Sequence, residues 1–95
     1  MISIKTVELI TQAIIKSQQS VIGPLAIEQA RKVSGLNVDN KGAVVLNTKD
    51  PNKLLEQLVR TYERLFGKAS VEVCKEAIKE SSVTIGDKDL PAILR

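Results

Sequence analysis

The sequence predicts a mainly α-helical single domain over residues 1–95: four helices arranged as two repeated helical hairpins, joined by short β-like connectors. Three observations carry this. Apolar residues recur at helical spacing over two long stretches. Each stretch ends at a glycine that opens a second, shorter helical pattern. And the first stretch comes back: Ile14-Ile15-Lys16-Ser17-Gln18-Gln19-Ser20-Val21-Ile22-Gly23 is matched class for class by Leu58-Val59-Arg60-Thr61-Tyr62-Glu63-Arg64-Leu65-Phe66-Gly67, 44 residues later. Both run apolar, apolar, basic, hydroxyl, three mixed positions, apolar, apolar, Gly.

The first helix is expected from about Ser3 to Ile22, with Ser3 as N-cap and Ile4, Val7, Ile10, Ile14 and Val21 as its stripe. Leu9, Ile15 and Ile22 widen the stripe beyond a coiled-coil seam, which predicts burial on more than one side. Gly23-Pro24 ends it, because a helical proline lacks a donor and clashes with the preceding turn. Proline suits a helix start, so a second helix is expected from Pro24 to about Ser34, with Ala26, Ile27, Ala30 and Val33 inward, a Glu28–Lys32 ion pair outside and Gly35 as its stop.

Residues 36–46 change character. Leu36-Asn37-Val38 alternates, Asp39-Asn40-Lys41-Gly42 has turn chemistry, and Ala43-Val44-Val45-Leu46 is a short β-branched run, so a small hairpin is expected. Asp50-Pro51 is a strong helix entrance. The third helix is expected over Pro51–Phe66, with Leu55, Leu58, Tyr62 and Leu65 inward and Glu56–Arg60 paired outside. After Gly67 a fourth helix is expected over about 68–81, burying Val71, Cys74, Ala77 and Ile78. Ser82-Val83-Thr84-Ile85-Gly86 reads as a short strand, and Leu90-Pro91-Ala92-Ile93-Leu94 as a terminal turn or helix.

The repeat units span roughly 4–46 and 50–94. One helical hairpin cannot bury its apolar face alone, so two units stacked about a pseudo-twofold axis would share a core. The corner Val21-Ile22-Gly23-Pro24-Leu25-Ala26 and its echo Leu65-Phe66-Gly67-Lys68-Ala69-Ser70 resemble a small helical module found at the ends of some prokaryotic serine/threonine kinases and of roadblock-type proteins. That resemblance implies an accessory interaction module without catalysis. It brings no site residues with it, and Lys68 departs from the signature proline.

Composition excludes several chemistries. The chain has no histidine and one cysteine, Cys74, which removes histidine-based triads, a zinc site within one chain and an intramolecular disulfide. The repeat sets Cys74 against Ala30, a small packing position, and it is read as structural. Asp87 and Asp89 lack the further oxygens a calcium loop needs. Asn40-Lys41-Gly42 lacks the phosphate-loop order. Glu63 and Glu72 sit on neighbouring helices, but nothing marks a pocket that would tune them. No enzyme activity, cofactor or metal is expected. No signal peptide or membrane-length apolar run is present, which predicts a cytoplasmic protein with no membrane partner.

Two functions from different classes remain. The leading one is a non-enzymatic protein–protein interaction or adaptor module, self-associating as a homodimer or binding another protein. Its interface is read at the shoulders of the long helices: Leu9, Ile15, Ile22, Leu54, Val59, Tyr62 and Phe66. The alternative is a small nucleic-acid-binding or regulatory protein using Lys16, Arg31, Lys32, Arg60, Arg64 and Lys75. The net charge of only +3, its even spread along the chain, and a single Tyr and Phe with no Trp weigh against that alternative. Where the two copies disagree (Gln18 against Tyr62, Gln19 against Glu63, Ser20 against Arg64) is where copy-specific function is expected.

Overall fold

A computed structural model describes residues 3–81, 85–86 and 89–95. Helix α1 spans Ile4–Ile22, α2 Leu25–Ala30, α3 Pro51–Phe66 and α4 Lys68–Glu80. Between α2 and α3 lie β1 (Leu36–Val38) and β2 (Val44–Leu46), and the chain ends in a short 3-10 turn, Ala92–Leu94.

Local chemistry sets the helix starts. The Ser3 hydroxyl accepts from the Thr6 N–H at 3.1 Å. The Asp50 carboxylate accepts from the Lys53 N–H at 3.1 Å, with Pro51 leading the helix. Both satisfy a donor that a helix N-terminus leaves without an intrahelical partner. The third helix has the bounds its sequence predicts. The second is shorter than its periodicity suggests. After Ala30, the N–H groups of Lys32 and Val33 turn to carbonyls three residues back, on Gln29 and Ala30. The Glu28–Lys32 ion pair therefore does not form, because Lys32 lies beyond the helix.

The predicted hairpin is present: β1 and β2 pair antiparallel, with Leu36 opposite Leu46 and Val38 opposite Val44. These four residues face the core, while Asn37 and Val45 face out. Two strands alone are marginal in water, and α1 supplies the missing support. Gln12 Oε1 accepts from the Val44 N–H at 3.0 Å, and Glu8 Oε2 from the Leu46 N–H at 3.1 Å. Arg31 holds the other strand through the Val38 carbonyl at 3.1 Å and Asn40 Oδ1 at 2.8 Å. At the tip, the Asp39 carboxylate accepts from the N–H groups of Lys41 and Ala43. The strand read at 82–86 falls largely on residues 82–84, outside those described.

One continuous core fills the space between these elements, and its pattern follows the 44-residue offset. Buried Ile10, Thr11, Ile14, Ile15, Gln18, Ala26, Ile27, Ala30 and Val33 stand opposite buried Leu54, Leu55, Leu58, Val59, Tyr62, Ser70, Val71, Cys74 and Ala77. Gly23 and Gly67 adopt nearly the same backbone (φ 67° and 81°, ψ −148° and −173°), and each N–H reaches the carbonyl four residues back. That conformation is all but restricted to glycine, which explains why both corners carry one.

Candidate interaction surface

Two buried side chains tie α1 to α4 and α3 to α2. Gln18, in the last turn of α1, donates through Nε2 to the Ser70 carbonyl at 3.0 Å, with Cys74 Sγ at 3.4 Å. Tyr62, in the last turn of α3, donates its hydroxyl to the Ala26 carbonyl at 2.7 Å. The bonds are reciprocal under the offset: position 18 reaches 70, and position 62 reaches 26. Burial pushes the Tyr62 phenol well above its usual range, with a smaller contribution from the nearby Cys74. Burial likewise pushes the Cys74 thiol up to about 11, partly offset by the bond from Gln18. A neutral thiol in such a place is an inert packing group. Gln18 and Tyr62 are thus internal tethers, and at this pair the mismatch between the copies lies in the core.

These bonds also fix where the corners lie. Gln18 and Ala26 flank Gly23, and Tyr62 and Ser70 flank Gly67, so the residues around one corner bond to the residues around the other. Each corner carries an apolar doublet. Consecutive helical residues point about 100° apart, so a doublet cannot bury both members equally. Ile22 and Phe66 lean onto the core. Val21 (64% exposed) and Leu65 (52%) point out, joined by Leu25 (44%). The sequence reading placed Val21 and Leu65 in the core stripes. Ile4, also read into the first stripe, is exposed at the start of α1.

The predicted interface is redistributed. Ile15, Leu54, Val59 and Tyr62 are buried in the chain's own core and offer nothing to a partner. The wide stripes reflect burial by neighbouring elements of the same chain. Ile22 and Phe66 belong to the corner end. Leu9 is exposed, but on the earlier turns of α1. Periodicity alone does not single out Val21, Leu25 and Leu65, although the apolar doublet before each glycine is a readable signal.

The basic residues are spread over several elements. Arg60 lies 4.0 Å from Glu56 and Lys75 3.9 Å from Glu72. Arg31 is spent on the hairpin, and Arg64 Nη2 lies 3.5 Å from the Thr61 hydroxyl. Lys16 borders a shallow groove with Gln12, Gln19 and Lys41, and Lys32 is exposed. Among the described residues no group of three or more His, Cys, Asp and Glu side chains could hold a metal ion, and no helix is long and apolar enough to cross a membrane. No protein-family model, curated protein or solved structure matches the chain.

Proposed function

We propose that the protein is a non-enzymatic protein–protein interaction module, built from two copies of a helix–glycine–helix unit about a pseudo-twofold axis, and that it docks through its corner end. The shared burial pattern and the reciprocal Gln18–Ser70 and Tyr62–Ala26 bonds support the two-copy architecture. One observation carries the functional reading: Val21, Leu25 and Leu65, all within two residues of a glycine corner, stand exposed beside half-buried Ile22 and Phe66 in the chain. Contiguous exposed apolar surface marks interaction sites more often than scattered single residues do. The resemblance of the corner signature to accessory modules agrees with this reading. The nucleic-acid reading has less support, because its basic residues are dispersed and two of them are paired with carboxylates.

The test is a photo-activated cross-linking residue placed at position 21 or 65 of the full chain in source lysate. Positions 9 and 45 serve as controls, since Leu9 (45%) and Val45 (61%) are comparably exposed apolar side chains. Protein adducts should concentrate at 21 and 65. Equal or stronger capture at 9 and 45 would overturn the reading.

A further inference from the structure

The part of α1 that faces the hairpin tip departs in charge from the matching part of α3. On α3, Glu56 lies 4.0 Å from Arg60 one turn on, and Glu63 follows. At the positions 44 residues earlier the chain reads Gln12, Lys16 and Gln19. Both carboxylates have become amides, while the cation remains. These three side chains and the tip residues Lys41, Gly42 and Ala43 line a groove of about 380 Å³. Neither lysine forms an ion pair among the described residues. Gln12 Oε1 is taken by the Val44 N–H, so that side chain has its NH2 group left to offer a ligand.

No carboxylate lines the groove, and the acids around it are engaged or face elsewhere. The Asp39 carboxylate accepts from the N–H groups of Lys41 and Ala43 and borders a different groove, beside Asn37 and Val45. Glu8, one turn before Gln12, accepts from the Leu46 N–H. Glu80 shares a separate groove with Lys16, between α1 and α4. Beyond Gln19 the surface continues into a groove where Arg31 and Glu28 offset each other. The unbalanced positive charge is therefore concentrated between Lys16 and Lys41.

We infer that this groove binds a phosphate group carried by a small soluble molecule, with Lys16 and Lys41 supplying the charge and Gln12 and Gln19 supplying amide N–H donors. The donor set selects the ligand class. A phosphate monoester carries about −1.5 to −2 charges at neutral pH and three acceptor oxygens, which two ammonium groups balance. The two amides add donors without adding charge. A carboxylate, with one charge and two oxygens, would leave one ammonium unmatched. Lysine holds phosphate as a point charge and needs no fixed fork geometry. The lining has no aromatic ring on which a single-stranded base could stack, and no large apolar side chain to enter a bilayer. A small phosphorylated molecule is the source that the groove itself favours.

The test is a titration of the 15N-labelled full-length protein with inorganic phosphate, followed by NMR, beside acetate at matched ionic strength. Phosphate should shift the Lys41 and Gly42 amides and the Gln12 and Gln19 side-chain NH2 signals to saturation, and acetate should not. Lys16→Gln and Lys41→Gln should each weaken binding up to about five-fold, the upper size of an exposed charge pair. Arg60→Gln, at the matching position of α3, should leave binding unchanged. Gln12→Glu is the sharpest variant: it restores the carboxylate–cation pair of α3, keeps an acceptor for the Val44 N–H, and should weaken phosphate binding by a similar factor with helix content unchanged. The absence of a saturable phosphate response overturns the inference, as does an equal response to acetate, or a Gln12→Glu variant that binds as well as wild type. Phosphatidylglycerol vesicles and a mixed-sequence single-stranded oligonucleotide complete the series. If either perturbs these signals while inorganic phosphate does not, the small-molecule assignment fails.

Discussion

On the proposed two-copy reading, the α1–α2 and α3–α4 helix pairs solve the same packing problem with different side chains. Gln18 and Tyr62 occupy equivalent buried positions and each donates to a carbonyl of the other hairpin. Tyr62 does so with a large apolar ring and one hydroxyl. Gln18 does so with a small amide whose Oε1 has no partner among the described residues. A satisfied buried hydrogen bond contributes about 1 kcal/mol, but an orphaned buried polar atom costs about 1–3 kcal/mol. The two tethers are therefore alike in geometry and unequal in energy.

Breaking each tether with the same residue exposes that inequality. Tyr62→Leu removes ring volume and one buried hydrogen bond from the core, leaving the Ala26 carbonyl its partner inside α2, and should destabilise by about 2–4 kcal/mol. Gln18→Leu loses one bond to the Ser70 carbonyl, which keeps its partner inside α4, but also removes the unpartnered Oε1 and adds apolar burial. Its net effect should stay within about 1 kcal/mol. Urea unfolding measures both. Equal losses would mean that the amide is better satisfied than the geometry indicates.

The next largest effect separates Cys74 from its counterpart Ala30. The thiol's pKa is raised from 9.0 to about 11 by burial. Below pH 9 both folded and unfolded chains hold the proton and stability is unaffected. Between pH 9 and 11 the unfolded chain loses it first, so stability falls as pH rises. At about 1.4 kcal/mol per unit the loss is about 2–3 kcal/mol by pH 11. Tyr62, raised in the same direction, extends the decline above pH 10. Cys74→Ala, which gives the second hairpin the first one's residue, should flatten the pH 9–10 portion and leave the tyrosine-dependent portion. An unchanged profile would show that the thiol does not control it.

Sequence and structure part company where contacts become non-local. Asp50-Pro51, Ser3 and the alternating residues of the hairpin announce themselves because their signals act within a few residues. The end of α2 does not, since its apolar period continues to Val33 while the backbone has already turned to three-residue bonding. The exposure of Val21 and Leu65 depends on where the other hairpin stops. The tethers join residues 52 and 36 apart in sequence. The repeat could be read as a pattern of residue classes, but which of its mismatched positions would be buried could not.

The corner glycines should behave alike. A Cβ at either Gly23 or Gly67 meets nothing within 4 Å, so alanine there adds only backbone strain, about 1–3 kcal/mol. Gly35→Ala differs: its Cβ would sit 2.8 Å from the Asn47 carbonyl oxygen, adding a clash to the strain. Thermal unfolding should therefore rank Gly35→Ala as the most damaging and place Gly23→Ala and Gly67→Ala within error of each other. A large difference between those two would break the equivalence of the corners.

The smallest effect tests whether the equivalence reaches the chain segments beyond the helices. Glu8 Oε2 accepts from the N–H of Leu46, while Asn52 Nδ2 donates to the carbonyl of Asp89 at 2.9 Å. Positions 8 and 52 are equivalent, and so are the peptide groups 45–46 and 89–90. Each long helix thus grips the same peptide unit of the segment that follows, once through its donor and once through its acceptor, and Leu46 and Leu90 are both buried beside it. Polarity dictates the residue: the first grip needs an acceptor and the second a donor. Glu8→Gln keeps an oxygen acceptor and should change stability by about 1 kcal/mol or less, whereas Glu8→Lys has only donors to offer and should cost about 1–3 kcal/mol. At position 52 the rule inverts: Asn52→Asp should loosen the tail and Asn52→Gln much less so. Hydrogen exchange at the Leu46 amide and urea unfolding of the four variants check this. Equal tolerance of Lys at position 8 and Asp at position 52 would reduce the shared grip to coincidence.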